Sequence, residues 1–117
     1  MLRYLLPLLL LGSSPAQAAV LSCGQASYYG TASDGYAWRT MANGKPMNPN
    51  ALTTAHPSLP FGTRLKVTNQ HNGKSVVLLV TDRGPYVQGR ILDLSVGAFS
   101  KIANPRSGIT KVCASKA

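Results

Sequence analysis

The chain has 117 residues, with twelve Lys and Arg against three Asp and no Glu, a formal net charge of +9. This length supports one small domain, and no internal repeat or interdomain linker divides it. The positive field favours acidic partners: nucleic acid, an anionic membrane or an anionic cell-wall polymer. The basic residues are scattered and form no binding arm, which argues against nucleic acid.

The first eighteen residues read as an export signal. MLRY supplies a basic start, LLPLLLLG a short apolar core, and Ala16-Gln17-Ala18 a small-x-small cleavage site. The apolar stretch is too short for a membrane-spanning helix, so no membrane span is expected. Cleavage after Ala18 would leave residues 19–117 as a single domain. Export places that domain in the periplasm or cell envelope, or outside the cell, and makes nucleic acid the least fitting partner.

Cys23 and Cys113 stand near the two ends of the mature chain, where an oxidising compartment permits a disulfide. The alternative is lipid attachment at Cys23, because VLSC loosely resembles a lipobox. Against it, the apolar core ends eleven residues earlier, and Leu21 is bulky where a small residue is usual. A lipid anchor would also leave Cys113 without a partner. The disulfide is the favoured reading.

In chain order, ASYYG (26–30) reads as a strand ending at a glycine. Residues 31–50, rich in Gly, Ser, Asn and Pro, read as loop. ALTTAH (51–56) is expected as strand, because its threonines favour β structure ahead of Pro57. RLKVT (64–68) alternates polar and apolar residues, NQHNG turns and KSVVLLVTD runs back, which predicts a hairpin around Asn72-Gly73. His71 lies in that turn and is expected to be exposed. The unbroken run Val76–Val80 predicts a strand buried on both faces. RILDLS (90–95) is another alternating strand. Ser95 then caps a short helix over VGAFSKIA, with Val96, Phe99 and Ile102 on one face. GITKVCA (108–114) is the last strand. Many short strands with one small helix predict a closed β-barrel, which leaves no exposed edge. A monomer is expected.

VTDRGPY (80–86) poses the chemical question. Asp82 ends a strand that should be buried, where an ionised carboxylate is costly unless solvated, hydrogen-bonded or put to use. A general acid must hold its proton near neutral pH, which burial favours and a positive field opposes. The simpler alternative is that Asp82 accepts backbone N–H bonds from the turn RGPY.

ASYYG, MANG, ALTTAHPSLPFGT, VTDRGP and GRILDLS, in this order and spacing, closely resemble the rare lipoprotein A (RlpA) family. The resemblance runs over nearly the whole mature chain. It implies a mainly β fold, a six-stranded double-psi β-barrel with one or two short helices. It also implies an exported lytic transglycosylase that cleaves peptidoglycan glycan strands and leaves 1,6-anhydro-muramyl ends, with no metal or organic cofactor. Asp82 and His56 are the implied catalytic residues, Asp82 as the acid and His56 hydrogen-bonded to it or to substrate. The alternative for His56 is packing beside Pro57 in a loop.

Asp93 either fixes the strand-to-helix corner or faces the same cleft, since expansin-like barrels are similar in carrying an Asp in each corresponding stretch. Tyr28, Tyr29 and Trp38 are candidate sugar-stacking residues, with core packing as the alternative for at least one tyrosine. Arg83 is a further candidate substrate contact, and Asp34 in SDGY a turn residue. One segment departs from the family pattern. In MANGKPMN, Lys45 stands where the family usually has Glu, and Asn48 where it usually has Asp. The departure favours a second reading, a non-catalytic, expansin-like protein that binds or loosens cell-wall carbohydrate.

Overall fold

The computed structural model describes residues 19–117. The export-signal reading of residues 1–18 lies outside these described residues. Six strands close into a barrel: β1 (Val20–Tyr29), β2 (Thr53–Ala55), β3 (Arg64–Asn69), β4 (Ser75–Asp82), β5 (Arg90–Ser95) and β6 (Thr110–Lys116). Around the barrel the order is β1-β5-β2-β4-β3-β6. Two neighbouring pairs, β1/β5 and β2/β4, are parallel, and the remaining pairs are antiparallel. Among the described residues a single helix, α1 (Val96–Ile102), follows β5, and a 3-10 turn (Pro105–Ser107) precedes β6.

β1 is longer than ASYYG alone. Its first half pairs with β6 from Val20 to Ala26, placing Cys23 directly opposite Cys113. The two cysteines form a disulfide that joins the first and last strands across 90 residues of sequence. The β3/β4 hairpin forms as the sequence predicts. Its second strand, however, is not buried on both faces.

Val76, Leu78 and Val80 point inward, whereas Val77 and Leu79 are 39% and 42% exposed. A closed barrel has one interior, so alternate residues of even an all-apolar strand must face outward.

The apolar interior is filled by Ala26, Leu65, Val67, Val76, Leu78, Val80, Leu92, Leu94, Val112 and Ala114, and β2 adds the fully buried Thr54 opposite Val80 and Leu94. Helix α1 plugs it with Ala98, Phe99 and Ile102; Val96, expected on that face, is only half-buried. Ser95 caps the helix as expected, its hydroxyl accepting the Ala98 N–H at 3.0 Å. The same hydroxyl donates to the Ala51 carbonyl, tying the helix start to the segment ahead of β2. Gly97 lies against this segment, where an added Cβ would stand 2.7 Å from the Pro49 oxygen. Gly97→Ala is therefore expected to cost about 1–3 kcal/mol, from overpacking against backbone, as measured by denaturant unfolding.

A smaller cluster of Tyr29, Met41, Met47 and Ala55 lies beneath the long 31–50 loop. Gly30, at φ +90°, turns the chain out of β1 into this loop, and Met47 occupies the space a Cβ would need. The packing holds the loop across the end of β4.

Candidate active site

Three adjacent strands build the floor of a cleft. Ala55 on β2 pairs with Asp82 on β4 to one side and with Asp93 on β5 to the other. Neighbouring strands lie about 4.8 Å apart, so the two aspartates flank one small side chain with backbones about 10 Å apart. The cleft has a volume of about 220 Å³ and is lined by both aspartates, Ala55, Tyr29, Tyr36 and the Arg83–Tyr86 loop.

Asp82 is held on both oxygens. Oδ1 accepts the Ala42 N–H and the Arg83 N–H, each at 2.9 Å, and Oδ2 accepts the Tyr29 hydroxyl at 2.8 Å. A carboxylate offers about four acceptor positions, so Oδ2 is the oxygen with room for another partner. Burial, then the bond to Asp82, push the Tyr29 phenol far above its ordinary pKa, so it stays a donor. Asp82 thus accepts the backbone N–H of the turn and at the same time faces a cleft.

Asp93 accepts the Ser27 hydroxyl at 3.0 Å. Burial pushes its carboxyl above the ordinary value, against the Ser27 hydrogen bond and Arg90, while Asp34 and Asp82 also push it up. A carboxyl raised in the fold contributes stability that is complete below its ordinary value of 3.8 and is lost as pH rises through the raised value. Asp93→Asn retains an acceptor for Ser27 but cannot ionise. It is expected to melt above the wild type at pH 7, with the difference vanishing near pH 3; thermal melts across that range measure it.

The other sequence-predicted residues are distributed unevenly. His56 does not bond the Asp82 side chain. Its Nδ1 accepts the N–H groups of Ser58 and Leu59, at 3.0 and 2.9 Å, because the following Pro57 turns the chain back over the ring. Only backbone joins the two residues, His56 N–H to the Asp82 carbonyl at 3.1 Å. Burial, with Arg83 second, lowers the His56 pKa, so the ring is neutral with its proton on Nε2.

Arg83 lines the cleft, but its Nη1 donates to the carbonyls of Leu59 (2.8 Å) and His56 (3.3 Å), and its guanidinium stacks 4.1 Å over Phe61. Tyr28 faces the core, its ring 4.8 Å from Phe99 and its hydroxyl on the Pro105 carbonyl. Tyr29 is buried. Trp38 is 62% exposed at φ +67°, outside the residues that line the cleft.

The exposed aromatics that do line the cleft are Tyr36 and Tyr86, which sequence reasoning missed. Tyr36 is fixed by Asp34, whose carboxylate accepts the Tyr36, Gly30 and Thr31 N–H groups. Its ring meets Tyr29 edge-on at 5.8 Å. The only sequence signal for either is an aromatic side chain set among turn residues. Lys45 and Asn48 are exposed and do not line the cleft. Their loop reaches Asp82 through the Ala42 backbone.

A small double-psi β-barrel with two aspartates across its rim is the class that fold and site define. The chain belongs to the lytic transglycolase family, which matches residues 21–114. Among curated relatives, it is 52% identical over 89 residues to the "Probable endolytic peptidoglycan transglycosylase RlpA" of Nostoc sp., covering 76% of this chain and 24% of that one. It is 48% identical over 89 residues to the "Endolytic peptidoglycan transglycosylase RlpA" of Rickettsia prowazekii, covering 76% and 28%. The chain thus spans about a quarter of the length of these relatives. Two solved structures share the fold. An expansin from Clavibacter michiganensis superposes with a TM-score of 0.62 at 24% identity, over 81% of this chain and 49% of that one. A Streptomyces papain inhibitor gives 0.61 at 23% identity, over 85% and 97%.

Proposed function

We propose that the protein is an exported lytic transglycosylase that cuts peptidoglycan glycan strands in the Asp82–Asp93 cleft. The observation that carries this reading is the orientation of Asp82. Three donors fix its carboxyl, two on Oδ1 and only the Tyr29 hydroxyl on Oδ2, which leaves Oδ2 room to meet substrate. In the proposed reaction the protonated Asp82 donates to the glycosidic oxygen as that bond to the anomeric carbon breaks. The 6-hydroxyl of the same sugar bonds to the anomeric carbon and gives its proton to Asp82, which returns to its starting state. No water enters the products.

Asp93, kept protonated over a wider pH range by burial, adds a second carboxyl to the cleft without adding charge at its acidic end. Tyr36 and Tyr86 offer aromatic faces to pyranose rings. His56 acts as a positioning residue, shaping the turn that anchors Arg83. Lys45 and Asn48 lie outside the cleft lining, so the proposed chemistry rests on Asp82 and Asp93.

Incubation with purified peptidoglycan is expected to release soluble fragments. The replaced acids favour a second reading, a wall-binding protein without catalysis, and retention on the wall with no release would establish it. Binding is expected to weaken as salt rises, because mobile ions screen a positive field within about 10 Å at 0.1 M. A sedimentation pull-down across a salt series measures this.

A further inference from the structure

A second hollow lies further along β1 from the cleft. Alternate residues of β1 share the outer face: Tyr29 meets Asp82, Ser27 meets Asp93, and Gln25 is next in line. Gln25 lies four residues from Tyr29, about 13 Å along the strand. Here the hollow opens, about 520 Å³, lined by Gln25, Gln88, His71, Ile109, Thr110 and Lys111 with the backbone of Gly24 and Gly89. One loop serves both sites, since residues 83–86 line the cleft and residues 88 and 89 line the hollow.

Charge is arranged about this hollow. Gln25 pairs in register with Lys111 on β6, which lines the hollow, and with Arg90 on β5, which does not. Arg90 lies near enough to Asp93 to oppose the upward push of burial on its carboxyl. The Lys111 ammonium beside the Gln25 and Gln88 amides suits a carboxylate carried on a polar, hydrogen-bonding body. Ile109, 38% exposed, adds an apolar patch for the face of a sugar ring.

We propose that the hollow around Gln25, Gln88 and Lys111 is a distal subsite for a carboxylate-bearing sugar of the same glycan strand that crosses the cleft. This rests on the glycan-cleaving reading, deepens it, and is tested by binding instead of turnover. The probe is peptide-stripped peptidoglycan strands, compared with the same strands after their carboxylates have been chemically reduced to alcohols. Lys111→Glu is expected to weaken binding of the carboxylated strands roughly tenfold and to leave binding of the reduced strands unchanged. Gln25→Ala should weaken binding of both. Lys66→Glu, an equal charge change at an exposed position on β3, should leave the preference for carboxylated strands intact.

An equal loss in Lys111→Glu and Lys66→Glu would show a diffuse charge effect and overturn the subsite. Equal affinity of the wild type for carboxylated and reduced strands would overturn it too. If selective loss is seen with a wild type that cuts nothing, the subsite stands and the catalytic reading falls.

Discussion

Asp82→Asn is expected to reduce fragment release by about 100- to 10,000-fold, the usual range for loss of a general acid. Fold and wall binding should change little. Asn retains an oxygen for the Ala42 and Arg83 N–H groups, and the Tyr29 hydroxyl can turn to accept from the new amide. What disappears is the proton exchanged at Oδ2. A merely structural Asp82 gives another pattern, in which melting temperature and binding fall together and no separate loss of chemistry remains. Turnover, melting temperature and binding measured on one preparation separate the two.

Replacing both cysteines by serine is expected to lower stability by about 4 kcal/mol, because the bond closes a very long loop. It joins Cys23 and Cys113, 90 residues apart, across the strand pair that closes the barrel. Much of a small domain's stability, usually about 5–15 kcal/mol, would be lost with it. Denaturant unfolding of the variant, beside the wild type with and without reductant, measures the effect. The cleft lies at the other end of β1, so the folded fraction of the variant should retain specific activity.

The parts of the fold that were readable in the sequence are those built from neighbouring residues. The β3/β4 hairpin follows from alternation and Asn72-Gly73, and α1 follows from Ser95 and the spacing of Phe99 and Ile102. The first half of β1 carries no comparable local signal, because its partner lies at the far end of the chain. The outward side of β4 was misread for a different reason. Apolarity at Val77 and Leu79 does not reveal how many interiors a sheet encloses.

The candidate site divides along the same line. Asp82 and Asp93 stand out as two of only three carboxylates, each at the end or middle of a strand. Nothing in the sequence says that Ala55 lies between them, since that depends on β2 pairing with β4 and β5 together. The Ala42 N–H belongs to the backbone and carries no residue signature. Tyr29 looks like a stacking residue until its burial and its bond to Asp82 are seen. Tyr36 and Tyr86 reach the cleft only through the paths of two loops.

The group that attacks the anomeric carbon decides which ends the broken glycan strand carries, and mass spectrometry of fragments released from purified peptidoglycan reads this directly. Closure of the 6-hydroxyl onto the anomeric carbon predicts 1,6-anhydro-muramyl ends from the wild-type protein and their absence with Asp82→Asn. Reducing ends would mean that water is the attacking group, and a wall that binds the protein yet yields no fragments would mean there is no catalysis. Either result contradicts the transglycosylase reading.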